Sequence, residues 1–283
     1  MTQLEFVYLA CPHCKTWYVA TQFISYHIFS MERWSDDFIS TESFMPTTKE
    51  LIGECKVCKQ IFWVPDVPFL QNWLVTSYLQ NSDFKENVDS TKLEMLQHFK
   101  ENVKKTENLP SLSSPLEISI FSVNDYEKQQ INQWYRILKS DICNTKEKEI
   151  LIRKNLWQSI NGIIRYKYRT FRFKNLKSFI TELNYRIMNF NKIRNLHRQA
   201  NLLYNSFQIL NNDNLQNLND LLKTEIDDTC ETKILRIQVL RHLGAFKEGL
   251  ELLETIPEGA MEARYKSKLM KKLKQKNAHV YKI

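Results

Sequence analysis

Two cysteine pairs, Cys11-Pro12-His13-Cys14 and Cys55-Lys56-Val57-Cys58, constrain this chain more than any other feature. A two-residue spacer lets a tight turn aim both sulfurs at one ion, and two such knuckles complete a tetrahedral thiolate set for zinc. The 40 residues between Cys14 and Cys55 exceed the roughly 15 to 20 of a compact ribbon, so an inserted hairpin is expected. Phe23 to Arg33 is rich in aromatic and β-branched residues, Trp34 to Asp37 reads as a turn, and Glu50 to Glu54 with Gln60 to Val64 should flank the second knuckle. With four thiolates the site is closed. The metal should therefore staple the fold rather than activate water, and His13 should be an exposed bystander rather than a ligand.

Composition and charge narrow the rest. At 283 residues and 43% apolar, the chain can bury a core beyond the small metal module. Five glycines and seven prolines exclude low-complexity classes. The start, MTQLEF, has no basic stretch leading into an apolar run, and no apolar segment reaches the about eighteen residues of a membrane span. A cytoplasmic protein with reduced thiols is expected. The formal charge of +8 is unevenly placed: residues 1–80 carry five Lys/Arg against eight Asp/Glu, residues 146–200 fourteen against three, and residues 264–283 eight against none. A ribbon of net −3 is a poor neutraliser of phosphate and is expected to face protein.

Beyond Trp63 the apolar spacing turns helical. Val67-Pro68 should open a helix carrying Phe69, Leu70, Trp73, Leu74 and Tyr78 on one side, and Thr91 to Glu94 reads as a capping box ahead of Leu93, Leu96, Phe99 and Val103. Leu109 to Pro115 has the composition of a linker. Asn124 to Glu127 is a second capping box, before Ile131, Trp134, Leu138 and Ile142. The expected division is a ribbon over 1–65, connecting helices over 66–108, a linker over 109–123 and a helical domain with a basic tail over 124–283. The fold class is mainly α with a small β module.

Near the C-terminus, Asp228 to Glu231 should cap a helix with Leu235, Val239, Leu240 and Leu243, closed by Gly244, and Ala245 to Ile256 should return before Pro257. The run from Leu235 to Ile256 resembles one tetratricopeptide-type helix pair, with Gly249 where such repeats usually carry alanine. The double-CxxC ribbon with Trp34, Ser35 and Asp36 in its insertion, Phe62-Trp63 after the second knuckle, and a Glu149 to Asn161 helix with Arg153 and Trp157 complete a wider likeness. Together they resemble a group of uncharacterised bacterial zinc-ribbon proteins with a C-terminal tetratricopeptide-like helical region. Lys15 and Lys59 stand where that group usually has glycine. The resemblance implies a fold and a zinc ion, and no activity.

The segment Arg165 to Lys177 interleaves basic and aromatic side chains. On a helix from Lys146, Ile150, Trp157, Ile160, Ile164, Tyr168 and Phe171 share one face, which accounts for half of the aromatics as core. The other side holds Arg165, Tyr166, Arg169, Arg172, Phe173 and Lys174, which is either a solvated face or a contact patch, and Asn161-Gly162 is a candidate helix end. Lys268, Lys271 and Lys272 in the lysine-rich tail could add electrostatic reach toward nucleic acid or an acidic protein; a membrane surface is not expected as a partner. No glycine-rich phosphate loop, nucleophile elbow or HExxH occurs. The histidines are scattered, and Cys143 and Cys230 read as small buried hydrophobes. The expectation is therefore a non-catalytic adaptor that joins protein partners and takes no small-molecule substrate. Its alternative is a nucleic-acid-binding protein using residues 165–177 and the tail.

Overall fold

The computed structural model describes residues 3–25, 31–33, 35, 39–41, 51–80, 88–103, 108–114, 123–169, 212–224 and 228–276. Among them are seven short strands and eight α-helices, so the protein is mainly helical with a small antiparallel module at its N-terminus. The chain divides into two compact units. The first takes in Met1–Met31, Thr41–Ser119 and Ser140–Ile142; the second takes in Glu32–Ser40, Ile120–Lys139 and Cys143–Ile283.

In the first unit, strand β1 (Gln3–Ala10) lies between β2 (Trp17–Ser25) and β7 (Phe69–Gln71) in an antiparallel sheet. Leu9 pairs with Tyr18 and Tyr8 with Val19 across the first ladder, and Tyr8 pairs with Leu70 across the second. Because side chains alternate along a strand, the two faces have different tasks. Tyr8, Trp17 and Leu70 pack with Leu74 and Val75 of α1 (Asn72–Gln80) and with Leu96 and Phe99 of α2 (Ser90–Asn102). Leu9, Cys11 and Tyr18 pack with Cys55, Phe62 and Val67 on the opposite side. The sheet thus separates a helical layer from the cysteine knuckles. Trp17 meets Phe99 edge-on at 4.9 Å between ring centroids and donates its indole N–H to His98 Nδ1 at 3.1 Å.

Strands β3 (Met31–Arg33) and β4 (Ile39–Thr41) pair with each other, as do β5 (Ile52–Glu54) and β6 (Ile61–Trp63). These are the inserted hairpin and the frame of the second knuckle. Gly53 of β5 is a point of close approach, since a Cβ there would come within 2.9 Å of Phe62 Cζ and 3.1 Å of Leu112 Cδ1.

Three local expectations are corrected. Phe69 and Leu70 do not begin a helix. They extend the sheet as β7, because β1 offers hydrogen-bonding groups along Val7 to Leu9, and the helix starts at Asn72. Trp73, expected inside, is 54% exposed, while Leu74 and Val75 are buried. The second helix is capped two residues before the start of the expected box: the Asp89 carboxylate accepts the Lys92 amide at 2.9 Å, and a carboxylate is a strong acceptor at that position. The described part of the expected linker, Leu109 to Ser114, is hydrogen-bonded to the ribbon. Val19 N donates to Pro110 O, Leu112 N to Val19 O, and Glu54 N to Ser113 O.

In the second unit, α3 (Val123–Leu138) packs on α4 (Lys146–Arg169), with Ile131, Trp134, Ile137, Ile152, Leu156, Trp157 and Ile160 buried. The helix does not stop at Asn161-Gly162, as was a candidate reading. Asn161 is buried and Gly162 stands in open space, so only the intrinsic cost of one glycine, about 1 kcal/mol, opposes continuation. Helices α5 (Asn212–Lys223) and α6 (Cys230–His242) complete a core of Trp157, Leu218, Leu221 and Val239. Arg153 ties α4 to α5. Its guanidinium sits 2.7 Å from Glu149 Oε1 and 3.3 Å from both Asp220 Oδ2 and Asn217 Oδ1, and Asn217 returns a hydrogen bond to the Arg153 carbonyl. Replacing Arg153 by Ala removes this link between two partly exposed carboxylates and Asn217, and should cost about 1–2 kcal/mol. Urea denaturation of the variant checks this.

Thr229 caps α6, one residue inside the expected range, and Gly244 closes it at φ 81°, where only glycine is unstrained. Helices α7 (Phe246–Glu254) and α8 (Ala263–Lys274) follow and bury Ile237, Leu253, Ile256, Met261, Leu269 and Leu273. Gly249 has a packing reason, since a Cβ there would lie 2.9 Å from Leu273 Cδ2. The buried polar core of this unit is built on Arg241. Its Nε donates to Gln238 Oε1 at 2.8 Å, its Nη2 to Ser35 Oγ at 3.1 Å, and Gln238 in turn donates to the Tyr265 hydroxyl. No described helix is long and apolar enough to cross a membrane.

Candidate metal centre

Each cysteine pair sits on the same local device. In the first knuckle Lys15 N bonds Cys11 O at 2.9 Å and Cys11 N bonds Thr16 O at 2.8 Å; in the second, Lys59 N bonds Cys55 O at 2.9 Å and Cys55 N bonds Gln60 O at 3.0 Å. Closing these turns requires left-handed backbone, and Lys15 and Lys59 adopt it at φ 61° and 60°. Glycine, lacking a Cβ, would adopt this conformation without strain. A lysine there carries roughly 1–2 kcal/mol of steric strain, offset in part by the entropy glycine would add to the unfolded chain. Lys15→Gly and Lys59→Gly should each stabilise the metal-bound protein, by up to about 1 kcal/mol in denaturant titrations.

The two knuckles bring the four sulfurs together. Cys14 Sγ and Cys55 Sγ are 3.4 Å apart, Cys11 Sγ and Cys58 Sγ are 3.8 Å apart, and all four lie within 4.8 Å of one another. Four thiolates at about 2.3 Å from one tetrahedral ion are separated by about 3.8 Å, so the residues fit such an ion. None of the six cysteines is in a disulfide. Cys11, Cys14, Cys55 and Cys58 are therefore positioned to hold a metal ion. His13 contributes no ring nitrogen to this group.

The surroundings are asymmetric. Cys11 and Cys55 are buried, Cys58 is partly covered and Cys14 is exposed. Tyr18, fully buried on β2, places its hydroxyl 3.1 Å from Cys55 Sγ and accepts the Lys56 amide at 2.8 Å. Burial pushes the Cys11 thiol up to about 12. Burial acts on Cys55 in the same sense, but the Tyr18 hydroxyl and the amides of Cys58 and Val57 outweigh it and bring that thiol down to about 6. Thr16, 3.2 Å from Cys14, lowers the Cys14 thiol. Tyr18 and Thr16 were not singled out from the sequence. The signal was available, because a strand leaving the first knuckle must return alternate residues to the side on which the sulfurs gather.

The other candidate residues belong to the second unit. Lys268, Lys271 and Lys272 lie on α8, whose apolar side is fixed by buried Leu269 and Leu273. Burial, followed by the charges of Lys272 and Arg264, lowers the Lys268 ammonium. Arg165, Tyr166 and Arg169 fall on the last turns of α4, where side chains lie outside the described residues, and Arg172, Phe173 and Lys174 lie outside them altogether. Elsewhere in the first unit a groove of about 420 Å³ runs between Pro65–Gln71 and the start of α2, lined by Phe69, Asp89, Lys92 and Met95. No protein-family model, curated protein or solved structure matches the chain.

Proposed function

We propose that the protein is a non-catalytic adaptor in a bacterial cytoplasmic complex. In this reading a structural zinc ion held by Cys11, Cys14, Cys55 and Cys58 fixes a ribbon that docks a protein partner, and the tetratricopeptide-like helices of the second unit supply further contact surface. The observation that carries this reading is the apolar surface left outside by the first unit. Trp73 is 54% exposed, with Leu79 on the same short helix and Phe69 on the adjoining strand also exposed. Trp73 is also held, its indole N–H donating to Gln71 Oε1 at 3.1 Å. A fixed, solvent-facing tryptophan beside a groove is the composition of an interface hot spot. A closed thiolate set agrees with this reading, since it leaves the metal no open position for substrate.

The test is crosslinking affinity purification with wild-type protein and Trp73→Ala. Recovery of one stoichiometric partner, reduced about tenfold or more by the substitution at unchanged thermal stability, is the expected result. Equal recovery by both proteins would remove Trp73 from the interface.

A second reading, nucleic-acid binding, is favoured by one observation. The sequence of α8 holds Arg264, Lys266, Lys268, Lys271, Lys272 and Lys274 and no acidic residue. Gel shifts at rising salt decide it. Binding that weakens steeply with salt and is lost in Arg169→Glu/Arg172→Glu or Lys268→Glu/Lys271→Glu would give this reading primacy.

A further inference from the structure

The four cysteines are chemically unequal, and the inequality has a direction. Cys14 is the one ligand of the set that is exposed. Its sulfur faces Cys55 Sγ across the two knuckles at 3.4 Å, against 3.8 Å for Cys11 and Cys58. Cys55 is buried behind Tyr18, whose hydroxyl is 3.1 Å from its sulfur, so solvent-borne reagents reach Cys14 first. Cys143 and Cys230, outside the site, are partly covered, with sulfurs toward the Ile137 and Ala260 carbonyls.

We propose that this site is an oxidation-sensitive clasp: hydrogen peroxide attacks Cys14, Cys55 resolves the product across the knuckles, and the metal is released. The inference rests on the reading of the site as a metal centre. In the first step the Cys14 sulfur takes one oxygen as the peroxide O–O bond breaks, giving a sulfenic acid and hydroxide. In the second, the Cys55 thiolate attacks that sulfur, an S–S bond forms, and a second hydroxide leaves. Two thiolates and one hydrogen peroxide thus give one disulfide and two hydroxides, with two electrons passing from sulfur to peroxide. The sulfurs must close from 3.4 Å to about 2.05 Å, a movement available to Cys14 at the tip of its turn. Losing two of four ligands leaves Cys11 and Cys58, too few to retain a structural ion. A thiol reductant with added metal should restore the clasp.

The experiment uses the purified full-length chain carrying Cys143→Ser and Cys230→Ser, alongside wild type. Metal content is measured first by elemental analysis. Peroxide is then titrated while a chromogenic chelator reports released zinc, and non-reducing peptide mapping identifies the linkage. The expected result is zinc release in step with a Cys14–Cys55 crosslink, at the same rate in both proteins. In wild type, Cys14 should be modified at least about tenfold faster than Cys143 or Cys230. Zinc retained while only Cys143 and Cys230 oxidise, or a first crosslink that omits Cys14, would overturn the proposal. Protein that carries no metal and takes up none would instead overturn the underlying metal reading, so the two failures are distinct.

Discussion

Stripping the metal with excess chelator should unfold the N-terminal unit while the helices of the second unit keep their circular dichroism signal. The reasoning starts from the core. Cys11 and Cys55 are themselves part of a buried cluster with Leu9, Tyr18, Phe62 and Val67, and the strands that flank Cys55, β5 and β6, are three residues long. Two three-residue strands hold no shape alone in water. Structural zinc sites contribute roughly 10 kcal/mol or more to folding, which exceeds anything this small cluster could replace by apolar burial. Cys55→Ser should act in the same direction as the chelator. Lowering the pH should do so too, because every ligand must be deprotonated to bind. Tryptophan fluorescence from Trp17 and Trp63, read against metal content, makes the measurement. Native fluorescence persisting at zero bound metal would show that the ion is dispensable.

Arg241→Met should lower the stability of the second unit by about 2–4 kcal/mol, the largest effect expected of a single substitution away from the metal. Arg241 is fully buried and its guanidinium binds Gln238 and Ser35, residues on α6 and on the turn between β3 and β4. Methionine fills much of the volume but leaves those two polar groups without their donor. Arg241→Lys should rescue little, since one ammonium cannot reproduce a planar fork aimed in two directions. Ser35→Ala should cost less, about 1 kcal/mol, and the double variant should show strong coupling. Urea midpoints for the four proteins give the answer; additive losses would mean that the Ser35 contact does not bear on stability.

The parts of this structure that could be read from sequence are those set by local chemistry. Two CxxC spacings pointed to the four cysteines that the fold gathers, and the insertion, the flanking strands β5 and β6 and the Gly244 stop followed from residue preferences over a few positions. What escaped was set by neighbours far along the chain. Phe69 and Leu70 have the spacing of a helix start, but β1, some sixty residues earlier, offers them a ladder. Arg241 resembles any solvent-facing helical arginine until Ser35 is brought to it from 206 residues away. Tyr18 acquires its place in the metal site only when the second knuckle folds over the first strand pair. Gly249 looked like a departure from a repeat pattern, and its reason is Leu273 on the next helix. The reading from residues 165–177 stands apart, because the side chains that would test it lie outside the described residues.

Leu109 to Ser114 bridges Val19 on one side and Glu54 on the other, so it stitches a strand of the first knuckle to a strand of the second. A chain emerging during synthesis would have both cysteine turns available long before this stitch arrives, and Leu109 and Leu112 reach their apolar clusters only with it. Anyone isolating the metal module by itself should therefore cut beyond Ser114: a fragment ending at the last residue of β6 would keep every ligand and lose the seam that joins them.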